Sequence, residues 1–363
     1  MASPTDEHPK SPKRRARRST GDTRVEDKRA SDRTQRSGET AQTHDSSSPL
    51  GSATIVFSIE HREEMLKDHP VVRERYTVPT PMLIHAHEEA RDRVWLRRTG
   101  VVFYGETRAG KTTCANSIRD FLREEFEDAY ITIASARSSL RPKDGLMARL
   151  ILEGSGHALA SRPDPEALLR NVIMDVLTNL SSRGGDQYVL ILDEVNLLND
   201  WDLTGLLEIH NILAMKGIKM TTISFGQPEV LNLINSLANS EQMQIIARFF
   251  RKPVPFLSCN SEQTLAAVLR CLDEDTEWPE GSGWTYTYFF FPQAFSNGFR
   301  LSNYATAVWT ALVNAIPGQM SSFTMEKIAL TINDLYVGNW KADRKDFQLS
   351  DEAIINAVAS AHV

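Results

Sequence analysis

"VVFYGETRAGKTTCANSI", residues 101–118, runs from a short apolar stretch through a glycine turn into residues spaced as a helix. Val101, Val102 and Phe103 suit a buried strand, and Ile118, Phe121 and Leu122 recur at helical intervals. Between them, Gly105-Glu106-Thr107-Arg108-Ala109-Gly110-Lys111-Thr112 fills the pattern G-x-x-x-x-G-K-S/T at every position, with Thr113 adjoining it. The glycines let successive backbone N–H groups converge on a phosphate, and the helix start adds its partial positive charge. Lys111 then reaches the β- and γ-phosphates, and the Thr112 hydroxyl is a ligand for Mg²⁺. Strand, turn and helix in that order imply a nucleoside triphosphate site.

A second signal lies in "QYVLILDEVNLL", residues 187–198, a continuous apolar run closed by two acids. Carboxylates at the carboxyl end of a buried strand sit where ligands bind in open α/β sheets. Asp193 is the Walker-B acid that holds Mg²⁺ through its coordination shell, and Glu194 beside it suits orienting and polarising the water that attacks the γ-phosphate. Further strands are expected in "AYITIAS" (129–135), "IKMTTISFG" (218–226) and "KPVPFLS" (252–258), with helices near 143–158 and 165–182. Strands alternating with helices predict an α/β fold of the P-loop type, a parallel sheet covered on both faces. In "SFGQPEVLNLI" (224–234) a polar side chain at the strand end is placed to sense the γ-phosphate. Ser224 and Gln227 both qualify, with a slight preference for Gln227. "QIIARFFRKPVPF" (244–256) sets Arg248 and Arg251 at a helix end. They are either solvated cations or an arginine finger reaching a neighbouring subunit's site.

Charge divides the chain. Of its 41 Lys/Arg and 47 Asp/Glu, residues 1–50 hold 11 and 8, so residues 51–363 hold 30 and 39, a net charge of −9. Any nucleic-acid contact in that body requires a local basic stripe. Residues 1–50 have scarcely an apolar side chain and are expected to be a disordered basic tail. Their "SPKRRARRS" is a DNA tether, a solvated tail or a nuclear address. Residues 51–98 read as a helical segment broken by Pro79 and Pro81. In it His85 and His87, two apart, point to different helix faces and so are poor partners for a metal. Residues 99–258 form the expected ATPase core, and residues 259–363 a mostly helical lid region. The aromatic stretch "WPEGSGWTYTYFFFPQAF" (278–295) reads as an insertion packed on the core rather than a base-stacking surface. Cys114, Cys259 and Cys271 fit neither a disulfide framework nor a zinc site, and no apolar run reaches the roughly 18 residues of a membrane span. A soluble cytoplasmic protein is the expectation.

The order of "GETRAGKTT", "LILDEVNLL", "IKMTTISFGQPEV" and "ARFF" resembles the AAA+ ATPases of transposition, the TniB and TnsC family, with the target-selection ATPase of bacteriophage Mu (MuB) more distant. The resemblance spans roughly residues 65–315; its more particular features are the G-x-P-E after the fourth strand and the "ARF" that follows. It implies a Mg²⁺-dependent ATPase that forms a ring or helical filament on double-stranded DNA, marks a target and engages a transposase together with a target-selection protein. The segment "SARSSLRPKDGLMARLILEGSGHAL" resembles the family's duplex-contacting stretch and offers Arg141 and Lys143 as phosphate contacts. Arg300 in "GFRLSNYA" resembles the lid arginine of AAA+ proteins, or is a packing or capping arginine. Competing functions are a STAND-type signalling or defence ATPase and a nucleotide-gated DNA scaffold with little turnover.

Overall fold

A continuous apolar strand must be shielded on both faces, and the computed structural model, which describes residues 61–78, 80–138, 144–161, 164–315 and 322–361, is organised around that need. The strands are β1 (Val101–Tyr104), β2 (Tyr130–Ser135), β3 (Gln187–Asp193), β4 (Lys219–Gly226) and β5 (Pro253–Pro255). They form one parallel sheet in the order β2-β3-β4-β1-β5. All seven residues of β3 are buried. Side chains alternate between the faces. Val101, Phe103, Val189, Ile191, Ile223 and Phe225 point one way, against α2 (Pro81–Trp95) and α3 (Lys111–Glu125). Val102, Leu190, Leu192 and Met220 point the other way, against α4 (Leu146–Gly154), α5 (Pro165–Arg183) and α6 (Asp200–Met215).

Helix starts follow local chemistry. Thr80 accepts the Leu83 N–H ahead of Pro81, and Asp164 accepts the Glu166 N–H ahead of Pro165. Asn199 and Asp202 cap α6 reciprocally. Beyond β4, α7 (Val230–Asn239) and α8 (Met243–Phe249) lead to β5, which is shorter than the stretch 252–258 expected because prolines at both its ends withhold ladder donors.

The remaining helices, α9 (Glu262–Glu274), α10 (Tyr286–Phe290), α11 (Pro292–Ser296), α12 (Ala305–Ala315), α13 (Met325–Asn339) and α14 (Asp351–Ser360), enclose a second core. The aromatic stretch is that core, not an insertion laid on another. Phe290 stacks on Tyr336 at 4.6 Å between ring centroids, and Phe291 on Phe347 at 4.8 Å. A buried carboxylate, Asp273, accepts from Thr287 Oγ1 at 2.6 Å and from the Leu301 and Ser302 N–H groups at 2.9 Å, which fixes the chain between α11 and α12.

Among the described residues, the segment preceding the sheet does not form a body of its own. Its helix α1 (Arg62–Leu66) spans little more than a turn, and Pro70 follows the irregular residues after it. Arg62 Nη1 donates to Phe289 O at 3.2 Å and Phe290 O at 3.1 Å, so this end belongs to the C-terminal core, whereas Ala86, Ala90 and Val94 of α2 belong to the sheet. His69 is buried among the rings of Trp278, Tyr286, Phe289 and Phe290, its Nδ1 accepting the Val71 N–H.

Phe290→Ala is expected to destabilise the protein by about 3–5 kcal/mol in denaturant titration, since the ring leaves a cavity its neighbours cannot fill. Burial pushes the His69 imidazole down to about 3 from 6.5. The folded state therefore binds fewer protons than the unfolded one between those values, and this contribution to stability is full above about pH 6.5 and is lost as pH falls toward 3. His69→Phe should accordingly give a shallower fall of stability on acidification through that window, read from unfolding midpoints at stepped pH.

Candidate active site

Parallel pairing sets Tyr104 of β1 beside Gly226 of β4, and Leu192 of β3 beside Ser224. The carboxyl ends of the three strands consequently share one edge, and the phosphate-binding turn opens there. Gly105 is required at its first position: a Cβ would come within 2.2 Å of Phe256 O. Gly110 enters α3 at φ 94°, in the left-handed region that glycine tolerates.

Lys111 is only 5% exposed, and its Nζ donates to Gly105 O at 2.8 Å and Glu106 O at 2.7 Å. Burial lowers its pKa against the opposing charges of Glu194, Asp193, Glu106 and Glu229. Thr112 Oγ1 donates to Asp193 Oδ2 at 2.7 Å, joining the turn to the end of β3. Asp193 Oδ1 accepts the Glu194 N–H at 3.0 Å. Burial raises the Asp193 pKa, with the Thr112 hydroxyl the largest influence in the other direction.

Glu194 adopts φ 55° and ψ 38°, a left-handed conformation costing about 1–2 kcal/mol for a residue with a Cβ. Its Oε2 accepts from Gln227 Nε2 at 3.2 Å, and the Gln227 N–H donates to Asn196 Oδ1 at 2.8 Å. Of the two polar residues offered by the fourth strand, Gln227 is the one brought to the acids. Ser224 is fully buried on the sheet face opposite Ile223 and Phe225.

The turn forms one end of a cavity of about 460 Å³. Thr107 to Thr113 and Glu194 line that end; Val71, Tyr76, Val78 and Leu83 line the other, together with Ile328 and Ile332 of α13. Tyr76 Oη donates to Ala329 O at 3.5 Å, and Arg108 pairs with Glu326 at 3.0 Å, so α13 touches both ends. No motif marks these apolar residues. They come from opposite ends of the sequence, and only the interleaving in "VVRERYTV" hinted at a buried edge. The donor set, a hydroxyl beside a carboxylate at the mouth of a turn carrying a buried ammonium, fits a magnesium-bound triphosphate.

The candidate arginines lie elsewhere. Arg248 O accepts the Gly100 N–H at 2.8 Å, so this residue sits at the amino end of β1, and its guanidinium donates to Gln244 O of its own helix at 3.5 Å. Arg251 is exposed nearby. Arg300 donates to Phe295 O at 2.9 Å and Phe299 O at 2.6 Å and lies 3.6 Å from the Phe295 ring centroid. Its fork is spent on carbonyls and a ring inside the helical layer; the geometry is that of a capping and packing arginine, not of a lid arginine turned to the pocket. Arg141 and Lys143, and the basic tail 1–50, lie outside the described residues. His85 is exposed and His87 packs on Phe121. Among the described residues no helix is long and apolar enough to cross a membrane.

Residues 96–234 match the family model of the AAA domain. A comparison with curated proteins found none that matches. Among solved structures, the chain is similar to the ORC2 protein of Aeropyrum pernix in its ADPNP-ADP complexes, with a TM-score of 0.55 at 14% identity over 81% of this chain and 72% of that one. The same protein in its ADP form gives a TM-score of 0.50 at 14% identity over 76% and 67%. The fold is that of a P-loop ATPase of the AAA+ class, with a parallel sheet between helices and a helical region after it.

Removing the Asp193 charge tests the site's electrostatics. Because burial raises this carboxyl's folded pKa, ionisation at neutral pH opposes folding, and that cost is present above the folded pKa and relieved as pH falls. Asp193→Asn should raise the melting temperature of the ligand-free protein at pH 7 while losing the additional stabilisation that Mg²⁺ gives with a nucleoside triphosphate, both read by thermal scanning.

Proposed function

We propose that this protein is an ATPase that binds ATP with Mg²⁺, hydrolyses it to ADP and phosphate, and assembles as a ring or helical filament on double-stranded DNA. The observation that carries the ATPase reading is the chain of contacts Thr112–Asp193–Glu194–Gln227 beside the buried Lys111. Lys111 and the turn's N–H groups would bind the phosphates, and Thr112 with Asp193 would hold the metal. Bound Mg²⁺ supplies neutralisation of the phosphate charge. Glu194 accepts the proton as water attacks the γ-phosphorus and the bond to the β–γ bridging oxygen breaks. Gln227 holds the Glu194 carboxylate at the strand end, where the presence of the γ-phosphate can be communicated to it. Arg248, too far from its own phosphate turn to serve it, is the candidate for stabilising the transition state of a neighbouring subunit, with Arg251 as the next.

The DNA and transposition parts of the reading are supported by the succession of phosphate turn, DE acids, G-x-P-E and ARF that resembles the TniB and TnsC family. In that reading the assembly marks a DNA target and recruits or activates a transposase.

Lys111→Ala should abolish ATP binding, because it removes a ground-state phosphate contact, whereas Glu194→Gln should bind ATP and lose turnover by about 10²-fold or more. Equal turnover in Glu194→Gln and wild type would remove the catalytic assignment. Arg248→Ala should retain binding and lose about 10³-fold or more in turnover. Mixed with co-assembling Lys111→Ala it should regain activity, since some interfaces then unite a live pocket with an intact arginine. Turnover stimulated by duplex of any sequence separates this function from a signalling ATPase; duplex binding without turnover would identify a scaffold.

A further inference from the structure

The amino end of the sheet carries a second cleft, of about 620 Å³, walled by Arg93, Arg97 and Arg98 from α2 and its exit, Lys219 at the start of β4, and Arg251 and Lys252 ahead of β5. Their compensation is incomplete. Glu89 takes Arg93 at 2.9 Å and Lys252 at 2.6 Å, and Asp186 takes Arg97 at 2.9 Å. Arg98, Lys219 and Arg251 are exposed, and their side chains make no ion pair or hydrogen bond among the described residues. Three uncommitted cations from three separate elements thus share a concavity, on a body whose residues 51–363 sum to a net −9. A recess lined by one sign of charge concentrates its field and draws an anion of the other.

The protein's own nucleotide is not that anion. Thr99 lines the cleft and Gly105 opens the phosphate turn, and at 3.3 Å per residue β1 separates them by roughly 20 Å. A compact anion would be poorly enclosed by cations carried on three exposed elements. A run of phosphodiesters, one charge per nucleotide with no countercharge of its own, fits them, and the two guanidinium forks match its paired oxygens. We propose that this cleft is a second phosphate-binding site, distinct from the nucleotide pocket, and that it takes the sugar-phosphate backbone of double-stranded DNA. The proposal rests on the reading that the protein binds duplex; Arg98 and Lys219 are the contacts it adds.

The test uses the full chain with ATP and a labelled duplex, its affinity followed by anisotropy between about 50 and 200 mM salt. Arg251 stays in place, since it is also a candidate trans-acting arginine. Arg98→Gln/Lys219→Gln should bind more weakly and flatten the slope of log affinity against log salt by up to about 1.8, or 0.9 for each lost contact. ATP affinity and DNA-free turnover should not change, and the charge-retaining Arg98→Lys/Lys219→Arg should keep the wild-type slope. Wild-type binding with an unaltered slope in the Gln variant overturns the cleft assignment and leaves the DNA reading standing. An unaltered slope with DNA-free turnover lost assigns the cleft to a contact between subunits instead. No duplex binding by the wild-type chain, with ATP turnover intact, removes the cleft and the DNA reading together.

Discussion

Parallel pairing of β1 between β4 and β5, with β3 beside β4, is the constraint on which everything else rests. It aligns the carboxyl ends of three strands so that a lysine, a threonine, two acids and a glutamine from distant positions meet on one edge. Had β3 run opposite to β1, Asp193 and the phosphate turn would lie at opposite ends of the sheet. The hydrogen bond from Thr112 to Asp193 is the local expression of that alignment, since it closes only when α3 starts beside the end of β3. Backbone strain is present at the same edge. Glu194 occupies a left-handed conformation there, its N–H donating to Asp193 Oδ1 and its carboxylate accepting from Gln227, whose own N–H is anchored on Asn196 Oδ1.

The pocket extends from that edge across a boundary between two cores. One end is the turn and belongs to the sheet; the other belongs to the aromatic helical layer and to the segment before the sheet, which crosses from one core to the other between Val78 and Ala86. A ligand filling the cavity therefore touches both bodies. The exposed Arg108–Glu326 pair contributes little to stability but spans the same gap.

Charge is distributed in the opposite sense. The carboxyl edge gathers acids around one buried ammonium, a set that an incoming metal and phosphates would balance. The amino edge gathers cations with too few acids, and the sheet keeps the two fields apart. Under the proposed functions, this polarity would let one protomer handle two kinds of phosphate without either competing for the other's partners.

From the sequence alone the fold class was legible, because a complete phosphate turn between a β-forming run and a helix, a fully apolar strand ending in Asp-Glu, and alternating elements leave few other arrangements. The roles proposed for Lys111, Thr112, Asp193 and Glu194 rest on spacing along single elements, where covalent geometry dictates the neighbourhood. Tertiary structure decided what depends on contacts between elements. It brought Gln227 rather than Ser224 to Glu194, because strand alternation turns Ser224 to the other face. It bent Arg300 into its own helical layer, where the Phe295 and Phe299 carbonyls accept its guanidinium and the Phe295 ring packs on it. It drew the aromatic stretch into a core of its own around Tyr336, since three consecutive phenylalanines cannot all face one surface and had to be enclosed from several sides. The cleft of Arg98, Lys219 and Arg251 was invisible along the chain for the same reason: these residues stand on separate segments, and only the sheet gathers the starts of its strands at one end.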